Sequence, residues 1–190
     1  MKKIVIGTVA LLFLLAGCGQ KKESAEPSKD TTTEALQSTL PVLENANNNT
    51  VVTKTLVLPA DENGVQQTQT ITYKGKQFLT LTIQQKRQVS EDLKSFIAEH
   101  GLEEAKKALK EGEDKDESVQ EARKIPGFNI ETNLLSETEI ETKTSYDFQV
   151  LDVKKASESE YLKKVGLENL LKNEPEEYIE NRVASGATVQ

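Results

Sequence analysis

Residues 139–150 read Glu139-Ile140-Glu141-Thr142-Lys143-Thr144-Ser145-Tyr146-Asp147-Phe148-Gln149-Val150, the clearest alternation in the chain. Ile140, Thr142, Thr144, Tyr146, Phe148 and Val150 fall on one side of an extended backbone. Glu139, Glu141, Lys143, Ser145 and Asp147 fall on the other and face water. This period of two predicts a half-buried antiparallel strand. Such a strand needs a sheet around it, and the flanking sequence supplies one. Upstream, Phe128, Ile130, Thr132 and Leu134 share a face and predict its hairpin partner, which Pro126-Gly127 separates from the helical signal before it.

Further upstream, three more strand signals predict a meander. Val51–Leu58 is rich in β-branched residues. Asp61-Glu62-Asn63-Gly64 contains Asn-Gly, a strong hairpin signal. Val65–Tyr73 alternates, with Val65, Ile71 and Tyr73 on one face. After a turn at Lys74-Gly75, Phe78–Ile83 places Leu79, Leu81 and Ile83 together. Between the meander and the later hairpin the period becomes helical. Ser90 is a good N-cap, with Glu91 and Asp92 in the first turn. Leu93, Phe96 and Ile97 begin an apolar stripe that Leu102, Ala105 and Leu109 resume beyond Gly101. The polar run Glu111–Glu117 reads as a solvated loop. Val119, Ala122 and Ile125 suggest a short helix. After the last strand, Ser157 is a candidate cap for a helix through Leu162 and Val165, ending at Gly166. A short segment at Leu167–Leu171 and a last helix opened by Pro175, through Tyr178, Ile179 and Val183, complete the chain. The expected fold is α+β: one antiparallel sheet of about five strands with helices packed on one face.

The 190 residues divide into three parts by composition. Met1-Lys2-Lys3 is a positive start, Ile4–Leu15 an apolar stretch, and Ala16 and Gly17 are small. These are the regions of a secretory signal peptide over residues 1–17. The apolar run is well short of the ~20 residues that span a bilayer as a helix. Leu15-Ala16-Gly17-Cys18 then resembles the lipobox of bacterial lipoproteins. Small residues admit a peptidase to the Gly17–Cys18 bond, and the Cys18 thiol is the nucleophile that accepts a diacylglyceryl group. Two or more acyl chains, such as palmitate, anchor stably where one is marginal. Cys18 is the sole cysteine, and it stands where that chemistry needs it. Residues 18–50 read as the lipidated cysteine and a disordered tether, with Thr31-Thr32-Thr33 and Asn47-Asn48-Asn49 as low-complexity runs that cannot offset their ordering entropy. A tether of this length reaches roughly 30 Å. Residues 51–190 read as a single α+β domain. The expected location is therefore the extracytoplasmic face of the cell membrane.

Composition also excludes functions. One Cys and one His leave no thiolate zinc site, iron–sulfur cluster or multi-histidine site, and no cofactor is expected. The net charge is −7, and losing Lys2 and Lys3 takes it to −9. Nucleic acid is not an expected partner. The expected partners are the membrane, through the lipid on Cys18, and a ligand or protein of the cell envelope.

The order of parts resembles the YehR-like bacterial lipoproteins, a domain family of unknown function. The lipobox carries the resemblance, with Thr70-Ile71-Thr72-Tyr73-Lys74-Gly75-Lys76 and the Glu/Lys-rich helix from Ser90. Ile125-Pro126-Gly127-Phe128 also matches, entering a hairpin that ends at Tyr146-Asp147-Phe148, as does a helix from about Lys155 to Lys164. It covers about residues 65–165. Glu111–Glu117 and the part from Leu167 look longer than the usual pattern. The resemblance implies an envelope lipoprotein domain and brings no catalytic residue.

Several side chains could carry chemistry, and each has a simpler reading. His100 suits the C-terminal end of a helix dipole more readily than proton transfer. Asp61, Glu62 and Asn63 could hold a calcium ion but lack EF-hand spacing. Asp114, Asp116 and Glu117 form an acidic run. Glu137, Glu139 and Glu141 could pair for acid/base work, and an exposed strand face explains them better. Ser157 and Ser159 lack a nucleophile elbow, and Tyr146 and Tyr161 read as packing residues. The expected function is a non-enzymatic binding module of the envelope, whose ligand could be a peptide, a wall component or a partner protein; an open sheet edge could take an added strand. Two alternatives are a carboxylate-dependent envelope hydrolase and a signal peptide whose residues 10–17 are released as a short pheromone.

Overall fold

The structure, a computed structural model, describes residues 50–164 and 167–190. The expected signal peptide, Cys18 and nearly all of the tether lie outside the described residues, as do Val165 and Gly166 of the helix read through Leu162. The strands are β1 (Val51–Val57), β2 (Gln66–Lys74), β3 (Gln77–Gln88), β4 (Phe128–Leu134), β5 (Glu139–Asp147) and β6 (Thr188–Val189). They form one antiparallel sheet in the order β4-β5-β3-β2-β1-β6. The α+β class and the five expected strands are present. The sixth is a two-residue strand at the C-terminus, paired with Leu56 and Val57, too short to leave a periodic signal.

One face of the sheet is buried. Leu56, Ile71, Tyr73, Leu81, Ile130 and Tyr146 point into the core, together with Phe128. The opposite face is polar and rich in threonine. Thr53 and Thr72 exchange a hydroxyl hydrogen bond of 3.0 Å, and Thr55 and Thr70 one of 3.4 Å. These are the cross-strand pairs that suit a solvated sheet face.

The helices are α1 (Glu91–His100), α2 (Leu102–Lys115), α3 (Glu117–Arg123), α4 (Val153–Glu158), α5 (Glu160–Lys164), α6 (Leu167–Leu171) and α7 (Pro175–Ala184). Ser90 caps α1, accepting from the Leu93 N–H. Gly101, at φ +83°, ends α1 and lets α2 begin one residue later, its own N–H donating to the Ile97 carbonyl. The stripe of Ile97 and Ala105, with Leu93, Phe96, Leu102 and Leu109 beside it, covers Val89, Leu134 and Ile140. Val119 and Ala122 of α3, Ala156, Leu162, Leu167, Leu170, Tyr178 and Ile179 cover the larger cluster.

Four sequence readings need correction. Glu111–Glu117 is not a loop: α2 runs to Lys115 and α3 starts at Glu117, with Asp116 as cap between them. Ion pairing along α2 and to Arg123 offsets the clustered charge. β5 stops at Asp147, and Phe148–Val150 form a turn that leaves Val150 58% exposed. Ser157 caps nothing; Asp152 caps α4 and Ser159 accepts from the Leu162 N–H at the start of α5. β3 extends past Ile83 through Gln84-Gln85-Lys86-Arg87-Gln88, a polar run held extended by β5 along its whole length and by β2 as far as Lys86.

Candidate functional site

A groove of about 670 Å³ lies between α2 and the edge strand β4. Its closed end is an ion-pair cluster. Arg123, from the last turn of α3, places Nη2 2.8 Å from Glu113 Oε2 and Nη1 3.4 Å from Asp114 Oδ1. Its Nε and Nη2 also donate to the Ile130 carbonyl at 3.2 and 2.8 Å. Thr132 Oγ1 donates to Glu113 Oε1 at 3.0 Å. Both Glu113 oxygens are thus engaged, and the side chain is only 15% exposed. Glu113 works as a strut between α2, α3 and β4. Behind it lies Tyr161, whose buried hydroxyl has no hydrogen-bond partner among the described residues. Burial raises its pKa above the usual phenol range, and the Glu113 and Asp116 charges add to this while Arg123 opposes it.

The open end has different chemistry. Lys106 and Lys110 stand one helical turn apart on α2 with Leu109 between them, facing Leu134 and Leu135. Leu135 is 43% exposed. Lys106 is paired with Glu103 at 2.7 Å; Lys110 has no ion-pair partner among the described residues.

Strand pairing decides which main-chain groups face the groove. Asp147 N–H donates to the Gly127 carbonyl, and Leu135 N–H to the Glu139 carbonyl. With the β4–β5 register, these bonds turn Asn129, Glu131 and Asn133 toward β5. Phe128, Ile130, Thr132 and Leu134 therefore turn their N–H and C=O groups outward. The Phe128 N–H is taken by the Ile125 carbonyl and the Ile130 carbonyl by Arg123. Thr132 and Leu134 have no main-chain partner on that side among the described residues. On this edge the first half has two of its outward main-chain groups taken, and the second half has none taken among the described residues.

The residues singled out by sequence scatter. His100 ends α1, with its ring 4.5 Å from Phe96 and Nε2 3.7 Å from Glu99. Asp61 Oδ1 accepts from the Asn63 and Val65 N–H groups, and the turn needs these bonds. Asp114 reaches the groove through Arg123. Asp116 Oδ1 accepts from the Ser118 and Val119 N–H groups, and Glu117 lies exposed in the first turn of α3. Glu137 is exposed in the β4–β5 turn, whereas Glu139 and Glu141 lie on β5, where Glu141 sits opposite Lys86. Ser157 Oγ donates to a backbone carbonyl. Tyr146 is buried against Phe128 and Phe148. Among the described residues no three His, Cys, Asp or Glu side chains group as a metal site, and no helix is long and apolar enough to cross a membrane. Arg123, Glu113, Thr132, Lys106 and Lys110 were not singled out. Reading Glu111–Glu117 as a loop hid the continuation of α2 that sets Glu113 and Asp114 on the same helix as Lys106 and Lys110.

Fold and groove define an α+β domain built on one antiparallel sheet, with part of its β4 edge unpaired among the described residues. A YehR-like family model matches residues 51–182, and the chain belongs to that family, whose function is unknown. It is similar to a protein from Streptococcus pneumoniae TIGR4 solved by NMR. The identity is 64% over 87% of this chain and all of that one, with a TM-score of 0.69. The NMR structure of the E. coli YehR protein aligns at 19% identity over 74% of this chain and 91% of that one, with a TM-score of 0.47. No curated protein matches the chain.

Proposed function

We propose that the protein is a lipoprotein, anchored through Cys18 on the extracytoplasmic face of the membrane, whose domain is a non-enzymatic binding module of the cell envelope. The lipobox Leu15-Ala16-Gly17-Cys18 supports the anchoring. The observation that carries the binding role is the groove. It joins an open strand edge to two lysines and apolar side chains, while its central carboxylate, Glu113, is held by Arg123 and Thr132. Each Glu113 oxygen is held by a partner, Oε1 by Thr132 and Oε2 by Arg123, so the carboxylate serves as a strut between elements.

A thermal-shift screen against wall peptides, glycan fragments and lipids tests this reading, with each mixture analysed by mass spectrometry. A ligand at 100 times its Kd adds roughly 2.7 kcal/mol. A raised melting temperature with the fragment recovered intact is the expected result. Cleavage of any fragment, lost on substituting a groove carboxylate in a chain that still folds, would replace the binding role with a hydrolase.

A further inference from the structure

We propose that the groove between α2 and β4 binds an extended peptide segment as an added β-strand, with an apolar side chain against Leu109 and a carboxylate at Lys106 and Lys110. This rests on the binding-module reading and specifies its ligand. Three observations converge on it. The outward N–H and C=O groups of Thr132 and Leu134 are unpaired among the described residues, which offers an added strand a ladder of main-chain hydrogen bonds. The wall facing them is α2, which presents Leu109 between Lys106 and Lys110; Lys110 has no ion-pair partner among the described residues. The groove is also stopped at one end, because Arg123 occupies the Ile130 carbonyl. A strand entering from Leu134 must end near Thr132, so the register of the bound segment is set by the cluster.

The charge pattern fixes the chemistry of the occupant. The open end is basic and apolar, and the closed end carries Glu113 and Asp114 on Arg123. A segment alternating β-branched and acidic residues matches the open end. Edge strands left exposed are otherwise a hazard of self-association. The short β6 and the following Gln190 shield β1 from Thr55 to Val57, which leaves Val51–Lys54 as a second stretch of edge without a strand partner among the described residues.

The test uses the 15N-labelled full chain in detergent micelles. The probe is the blocked peptide acetyl-Thr-Val-Glu-Val-Thr-amide, with an N-methylated version as a control that cannot complete the ladder. Expected are slowed amide exchange at Thr132 and Leu134 by about tenfold or more at saturation and no effect of the N-methylated peptide. Replacing the probe Glu by Lys should weaken binding by about two- to fivefold, the range of exposed ion pairs. Lys110→Glu, an exposed substitution that spares the fold, should reverse that preference. No protection at millimolar peptide, or protection at Val51–Lys54 instead, would overturn the assignment. So would protection of Thr132 and Leu134 without peptide that grows with protein concentration, which would make a second copy the occupant. A thermal shift with a glycan fragment alongside a failed peptide titration would sink this assignment and leave the binding-module reading standing. Cleavage of the probe would sink both.

Discussion

Gly127 joins α3 to β4 at φ +80°, and a Cβ built there would lie 2.5 Å from the Asp147 carbonyl oxygen and 2.8 Å from the Leu151 N. Both obstacles are backbone, so neither can swing aside. Gly127→Ala therefore adds two costs. The left-handed conformation costs about 1–2 kcal/mol for a residue with a Cβ, and forcing the two chain segments apart costs about 1–3 kcal/mol more. For a domain near this size, a loss of about 2–5 kcal/mol lowers Tm by roughly 8–20 °C. Gly64 is the internal control: it has φ +73° and nothing within 4 Å of its Cβ position. Gly64→Ala should pay the conformational cost alone, roughly 4–8 °C. Thermal melts followed by circular dichroism on wild type and both variants separate the two terms. The change has a consequence for the groove, because the Gly127 carbonyl accepts the Asp147 N–H bond that begins the β4–β5 ladder. A Gly127→Ala variant that melts no lower than Gly64→Ala would refute the close approach and with it the placement of β4.

Three further perturbations bear on the same structure. Arg123→Ala leaves the mostly buried Glu113 without its cation and the Ile130 carbonyl uncapped, which should cost about 2–4 kcal/mol in denaturant unfolding; Glu113→Gln, which keeps a Thr132 partner, should cost less, and equal losses would argue against the strut. Tyr178 donates to Gln69 Oε1 at 2.9 Å, whereas the buried Gln69 Nε2 has no partner among the described residues. Tyr178→Phe should cost about 1–3 kcal/mol, and adding Gln69→Leu should recover most of it, because a buried polar group is costly chiefly when its partner is missing. Burial raises the pKa of Tyr146 and Tyr161 in the folded state, with the Tyr161 and Tyr178 phenols adding to the rise at Tyr146. Each phenol holds its proton more tightly folded than unfolded, so its contribution is complete below the unfolded value near 10 and falls as pH rises above it. Tm should decline above about pH 10, and phenolate absorbance should lag behind that of a tyrosine model compound; simple titration with an unchanged Tm would contradict the burial.

The strands were legible where one face of the sheet is wet. The alternation of Ile140, Thr142, Thr144 and Tyr146, and of Phe128, Ile130 and Leu134, follows from that solvated threonine-rich face. β3 was legible only through Ile83, because the run from Gln84 to Gln88 is extended by its neighbours rather than by its composition. The helix stripes from Leu93 to Leu109 were legible for the same reason as the strands: each carries one apolar side. The site was hardly legible at all. Glu113, Arg123 and Thr132 come from three elements, and their meeting depends on α2 continuing through residues that look like a loop. The second half of the β4 edge is open because Arg123 reaches only as far as the Ile130 carbonyl, a fact of packing that no local pattern encodes.

The envelope role proposed for the domain assumes that Cys18 holds it outside the membrane. Intact mass spectrometry of the full-length product, extracted from the membranes of a bacterium that processes lipoproteins, tests this most directly. The proposal predicts a chain beginning at Cys18 and carrying a diacylglyceryl adduct, lost from the membrane fraction on Cys18→Ala. A chain that retains Met1–Gly17, or that begins elsewhere with a free Cys18 thiol, would contradict it.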